Sequence, residues 1–281
     1  MQQKRKILVI GGSGFLGAKF LELAPKNFDV HSTYLTKKTN IRNINEYKID
    51  LLDNSAILKL IDEVDPQIIF HTAKVKFFDE NPEENKKSIE ALARVSKRKG
   101  IKLFFVSTDA VFDGEKGNYV EKDELNPLGA YGISKKLAEE VIRNATDDFA
   151  IIRTSYIYGK NIFGYDKRTR ELLNELKLGK NVFRFDDLFR SITLVNDLAE
   201  ACWKLIETDF KGMIHIAGEK ESMFDFSKNI AQAFDLDESF IFPNSYKETG
   251  KIFTPDTSLN INMARRLIKF NPNKIGRSSF V

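Results

Sequence analysis

The sequence predicts an α/β chain built on a doubly wound parallel sheet, with a smaller C-terminal lobe. Three observations carry this. Short apolar strands alternate with amphipathic helices through the first 160 residues. These strands lack the polar alternation of a half-solvated sheet, so both of their faces are covered. Beyond Gly159 the alternation loosens into helices and a few short strands.

The elements follow in order. Ile7–Ile10 is a strand, and a helix runs from about Phe15 to Leu23. Asp29–Leu35 is a second strand, a third ends near Asp50, and Ile57–Val64 is helical. Gln67–His71, Lys102–Val106 and Ala150–Thr154 are further strands, separated by helices at Pro82–Lys99 and Tyr131–Arg143. Parallel neighbours of this kind are joined by right-handed crossovers. In the second half, helices are expected at Arg168–Leu178, Asn196–Ile206, Phe224–Phe234 and Ile261–Ile268, and strands at Val182–Phe185 and Met213–Ile216. This divides the chain into residues 1–160, a Rossmann-like α/β domain, and residues 161–281, a smaller lobe interleaved with it. Residues 271–281 read as a loose tail.

Composition excludes several classes. With 44 Lys and Arg against 40 Asp and Glu, the net charge of +4 is an ordinary solubility excess. The one dense basic run, Lys97-Arg98-Lys99, closes a helix and complements its dipole, so nucleic-acid binding is not expected. A single cysteine, Cys202, forbids an internal disulfide. No apolar run is long enough to span a membrane, and the basic N-terminus leads into a strand, so the cytoplasm is the expected location. The three histidines, His31, His71 and His215, have no metal-ligand spacing. No Gly-x-Ser-x-Gly elbow occurs.

Gly11-Gly12-Ser13-Gly14-Phe15-Leu16-Gly17 follows the first strand and opens the first helix. Glycine allows the tight turn and close backbone approach to a pyrophosphate, and the helix N-terminus offers unpaired N–H groups. In this setting the run is a Rossmann-type dinucleotide site. An NAD site usually places a carboxylate at the end of the second strand; here stand Thr36, Lys37 and Lys38. A cation suits a 2′-phosphate, so NADP(H) is favoured over NAD(H), unless the lysines are merely a solvated turn.

Tyr131 and Lys135 are four residues apart, on one helical face. An ammonium beside a phenol stabilises the phenolate and readies it for proton exchange. The pair gains weight from its place after a strand that ends in Ser107-Thr108-Asp109, at the carboxyl edge of the sheet. Among the 23 phenylalanines, Phe183, Phe185 and Phe189 serve either packing, the commoner use, or a pocket for a planar base.

Together, the glycine loop, Ser107-Thr108-Asp109-Ala110-Val111-Phe112-Asp113-Gly114 and Pro127-Leu128-Gly129-Ala130-Tyr131-Gly132-Ile133-Ser134-Lys135 resemble the extended short-chain dehydrogenase/reductase family. Within it they most resemble the dTDP-4-dehydrorhamnose reductases, over roughly residues 5 to 235. The resemblance implies an NAD(P)H-dependent oxidoreductase acting on a nucleotide-linked 4-keto-6-deoxysugar. In that role Tyr131 donates the proton, Lys135 tunes it and binds the nicotinamide ribose, and Thr108 hydrogen-bonds the reacting oxygen. Cofactor contacts would come from Gly11, Gly14, Phe15, Leu16, Gly17, Thr36, Lys37, Asp50, Leu51, Thr72, Ala73, Lys74, Asn85 and Ser107. Substrate contacts would come from Val111, Phe112, Tyr156 and Arg190. Asp50 reads alternatively as a helix cap, and Asn85 as an exposed helical residue.

Departures from the family pattern leave the sugar open. His71 stands where Asn is usual, Ala110 where Tyr is common, and Phe253-Thr254-Pro255 where Arg-Pro is common. That last change removes a cation for a diphosphate, which Arg190 or Arg153 would have to supply unless Arg153 is structural. Two alternatives stand beside the reductase: a sugar-nucleotide epimerase or dehydratase, and a non-catalytic regulatory subunit like that of methionine adenosyltransferase. An exposed helix pair leaves a homodimer open.

Overall fold

In a computed structural model, residues 4–73 and 82–280 are described. The first half forms β1 (Arg5–Ile10), α1 (Phe15–Glu22), β2 (Phe28–Tyr34), β3 (Ile44–Lys48), α2 (Asn54–Val64) and β4 (Ile68–His71). It continues with α3 (Pro82–Lys99), β5 (Lys102–Thr108), a 3₁₀ turn at Asp109–Val111, α4 (Ala130–Ala145) and β6 (Phe149–Thr154). Then come β7 (Ile157–Tyr158), β8 (Lys160–Asn161), β9 (Gly164–Tyr165), α5 (Lys167–Lys177), β10 (Val182–Phe185), β11 (Phe189–Ser191) and β12 (Thr193–Leu194). The chain closes with α6 (Val195–Ile206), β13 (Gly212–His215), β14 (Lys220–Ser222), α7 (Met223–Ala233), β15 (Ile241–Asn244) and α8 (Asn262–Ile268).

Seven strands form one parallel sheet in the order β3-β2-β1-β4-β5-β6-β13. Successive side chains of β1 serve opposite cores. Ile7 and Val9 pack with α1, α6 and α8, whereas Leu8 and Ile10 pack with α2, α3 and α4. That double burial explains why the strands read as unbroken apolar runs. The strand order reverses between β1 and β4, and open α/β sheets bind ligands at such a crevice.

The second half divides its loyalties. β13, expected in the smaller lobe, is the edge strand of the large sheet, and Trp203 of α6 stacks on Phe20 of α1 at 4.1 Å. The rest gathers α5, β10, α7 and β15 around a third core built on Tyr158, Leu172, Phe226 and Ile230. The expected loose tail is instead tied down. Asn273 bonds the Asp197 carboxylate through its backbone N (2.7 Å) and its amide (2.6 Å), and Phe280 is buried against Phe234. One aromatic anchor and one capped carboxylate outweigh the polar run between them. Among the described residues, no helix is long and apolar enough to cross a membrane, and no cluster of metal-binding side chains occurs.

Candidate active site

The glycine loop is shaped by close backbone approach. Gly11 has φ +91°, and a Cβ there would lie 2.7 Å from Ala73 Cα. A Cβ on Gly17 would meet the Gly11 carbonyl oxygen at 2.2 Å. Gly14 is different: its only crowding atom is the Gly11 oxygen at 3.2 Å, and it opens α1 with no side-chain cap. The uncapped first turn leaves N–H groups for an anion. Gly11, Ser13, Gly14, Phe15, Thr33, Asp50, Leu51, Thr72 and Ala73 line one cleft of about 390 Å³. Leu16 and Gly17 sit behind it, buried in α1. The residues present therefore fit a dinucleotide: a diphosphate at the helix opening and an adenosine between Tyr34, Asp50 and Leu51.

Asp50 is not the cap of α2. Its carboxylate accepts from Leu52 N at 3.0 Å in the preceding turn, and Asp53 caps the helix through Ala56 N. Thr36 and Lys37 are exposed past the end of β2, and Lys37 Nζ lies 4.4 Å from the Phe163 ring centre. Lys74 and the Asn85 side chain lie outside the described residues.

Tyr131, Lys135 and Glu139 follow one another at one-turn spacing on the face of α4 turned to β5 and β6. Glu139 is fully buried and ion-paired with Arg153 at 2.7 Å. It also accepts the Ser107 hydroxyl at 2.5 Å. This lock fixes the rotation of α4, and hence the place of Tyr131, the second residue of the helix. Lys135 is buried, donates to the Val106 carbonyl at 2.9 Å, and lies 4.5 Å from the Phe105 ring centre. A Cβ on Gly132 would lie 2.0 Å from the Ala110 carbonyl, so glycine lets α4 close onto the turn that carries Thr108. His71 sits nearby at the end of β4. Burial, and then the charge of Lys135, hold its imidazole down at about 3, so it is neutral.

One open alternative closes, and three sequence expectations need correction. Arg153 is not a diphosphate ligand: it is 1% exposed and spends its guanidinium on Glu139 and the Glu121 carbonyl. The Ser107 hydroxyl faces Glu139 and not the cofactor cleft. Val111 and Phe112 do not face a substrate. Both are fully buried, because the 3₁₀ turn after Thr108 rotates them into the core, where Phe112 stacks on Tyr119 at 4.1 Å.

Tyr156 and Arg190 do meet, in a second cleft of about 470 Å³. The Tyr156 hydroxyl donates to Asp166 at 2.6 Å; burial and that carboxylate raise its pKa, so it stays a phenol. Arg190 is anchored on the Phe189 carbonyl (2.6 Å) and the Thr254 hydroxyl (2.9 Å). Phe183 and Phe185 line this cleft, and Phe189 is not among the lining residues. Arg168, Arg184 and Phe253 also line it and were missed. A signal for Arg168 existed. Lys167 and Arg168 open α5, where no acid occupies the first turn, and cations there oppose the helix dipole.

A dinucleotide cleft at the switch point, a Tyr/Lys pair on the adjoining helix and a cation-lined aromatic cleft beyond it define a nicotinamide-dependent oxidoreductase of the extended short-chain dehydrogenase/reductase type. More narrowly, the chain belongs to the family described as the RmlD substrate binding domain, whose model matches residues 5–273. Solved structures that resemble it include the following two. A hypothetical dTDP-4-dehydrorhamnose reductase from Sulfolobus tokodaii is 30% identical with a TM-score of 0.84, over 98% of this chain and 99% of that one. The dTDP-4-dehydrorhamnose reductase of Bacillus anthracis, in complex with NADP, is 25% identical with a TM-score of 0.81, over 98% and 97%. Methionine adenosyltransferase 2 subunit beta of Danio rerio is 27% identical, over 88% of this chain and 79% of that protein.

Proposed function

We propose that the chain is an NAD(P)H-dependent reductase of a nucleotide-linked 4-keto-6-deoxysugar, like dTDP-4-dehydrorhamnose reductase. The bound nicotinamide supplies the hydride. Tyr131 supplies the proton to the carbonyl oxygen. Lys135 lowers the cost of the phenolate left behind, its position set by the Val106 carbonyl. Phe185 and Phe253 offer faces to a planar base, and Arg168, Arg184 and Arg190 offer charge to a diphosphate. NADP(H) is the favoured cofactor, with Lys37 as the candidate cation just past the end of β2.

The observation that carries this reading is the Glu139–Arg153 lock, which holds the Tyr131/Lys135 face beside the end of β5. The test is Tyr131→Phe. NADPH oxidation with a dTDP-4-keto-6-deoxyhexose should fall by about 10²- to 10⁴-fold, while fluorescence titration with NADPH is unchanged. Near-wild-type turnover would overturn the mechanism. The likeness to a methionine adenosyltransferase subunit favours a second reading, a binding subunit. That reading predicts NADPH binding without turnover, and co-purification with a synthetase. An epimerase or dehydratase would instead keep NAD⁺ through purification.

A further inference from the structure

The β8–β9 hairpin carries an aromatic ring that the proposed reaction does not use. Its strands pair Lys160 with Tyr165 and Asn161 with Gly164, which leaves Ile162 and Phe163 at the tip. The base of the hairpin is rooted in the third core, where Tyr165 meets Phe234 edge-on at 5.5 Å. The tip is tied the other way, to the cofactor side. Asn161 is buried; its amide donates to the Phe15 carbonyl at 3.0 Å, and its side-chain oxygen accepts from Phe163 N at 2.8 Å. The Ile162 N–H donates to Glu22 of α1. Phe15 opens α1 and lines the cofactor cleft, so Phe163 is fixed to one wall of that cleft through a single buried side chain.

The ring so held meets a cation that comes from another wall. Lys37 stands two residues beyond Leu35, which lines the same cleft, and its Nζ lies 4.4 Å from the Phe163 ring centre. An exposed lysine stem otherwise samples many rotamers, and fixing it costs entropy. The face of an aromatic ring attracts an ammonium and leaves its N–H groups for an oxygen ligand. The contact therefore holds the charge in one place while it can still bind an anion.

We infer that Phe163 sets the selectivity for NADP(H) over NAD(H), by holding the Lys37 ammonium where the 2′-phosphate of the adenosine ribose binds. This rests on the cofactor reading above, in which Lys37 meets that phosphate. Phe163 is a positioning residue acting through Lys37. Part of the cofactor selectivity is thus supplied from the second half of the chain, by a hairpin that lies outside the glycine loop and the end of β2.

The experiment is a double-mutant cycle read by binding, with no turnover required. Fluorescence titration gives dissociation constants for NADPH and NADH. Phe163→Leu keeps apolar bulk and removes the ring; it should weaken NADPH by about threefold and leave NADH unchanged. Phe163→Trp keeps a ring and should keep the wild-type preference. In a Lys37→Ala background, which alone costs NADPH about fivefold, Phe163→Leu should add nothing. Independent effects would instead multiply to about fifteenfold. The inference is overturned if Phe163→Leu weakens both cofactors alike, or if the two losses multiply. Lys37→Ala with unchanged NADPH affinity would overturn the cofactor reading, and the inference with it. A Lys37 effect with none from Phe163→Leu would overturn the inference alone.

Discussion

Gly11 and Gly17 on the cofactor side admit no other residue, because the atoms a Cβ would strike are backbone. The substrate cleft is made in the opposite way. Its Phe185, Arg190, Phe226 and Phe253 come from four separate segments, and each is an ordinary residue type. One site is a steric necessity written into consecutive residues; the other is an assembly that exists only after folding. The two sites should therefore fail differently.

The largest difference should come from Gly17→Ala. The added methyl would sit 2.2 Å from the Gly11 carbonyl oxygen, and neither backbone strand can yield without moving the loop. NADPH affinity should drop on the order of a hundredfold, with overpacking as the cause. The nucleotide-sugar dissociation constant, measured in the absence of cofactor, should barely change. Equal damage to both would mean that the two sites are not separately built.

The converse experiment is Arg190→Met. This removes a partly buried guanidinium and keeps its apolar stem, so KM for the nucleotide sugar should rise roughly thirtyfold. NADPH binding should stay as it is. A rise in the cofactor constant of similar size would break the comparison from the other side.

This contrast also explains what could be read from the chain before folding. The glycine loop, the strand runs and the Tyr131/Lys135 spacing were legible because each is a local rule about backbone or helix geometry. Val111 and Phe112 were misjudged because a single 3₁₀ turn decides which way they face, and nothing in their identity encodes that turn. Arg153 was left open because its partner, Glu139, is 14 residues away on α4 and becomes its neighbour only when β6 lies beneath that helix. The tail was misjudged because its anchor, Phe280, is one residue in a polar stretch. Arg168 alone carried a local clue that was not used.

A smaller effect tests the cofactor side again. Lys37 is exposed and rests on Phe163, so it is a cation without a carboxylate partner among the contacts described. Lys37→Ala should weaken NADPH by about fivefold and leave NADH unchanged, since an exposed charge pair contributes on the order of 1 kcal/mol. If both cofactors weaken together, Lys37 supports the loop and does not read the 2′-phosphate.

The last difference is in pH response. Glu221 lies on β14, opposite Arg190 of β11 in the register of that antiparallel strand pair. Burial, opposed by the Asn229 amide and reinforced by Asp225, pushes its carboxyl up from 4.5 to about 7. A raised acid pKa means that the folded chain holds a proton the unfolded chain has released. Stability should therefore be greatest below about pH 4.5 for this group and decline as pH rises toward 7. His71 works the other way: its value of about 3 lies below the ordinary 6.5, so its share of stability is present above 6.5 and is lost as pH falls toward 3. Between pH 4.5 and 6.5 the two groups oppose each other, and the substrate side can be isolated by Glu221→Gln. That change should flatten the declining limb by on the order of 1 kcal/mol after allowance for solvent screening, seen as a higher Tm at pH 7 and little change at pH 5. An unchanged difference in Tm between the two pH values would mean that Glu221 is ionised in the fold, and that the strand pair bearing Arg190 tolerates its charge.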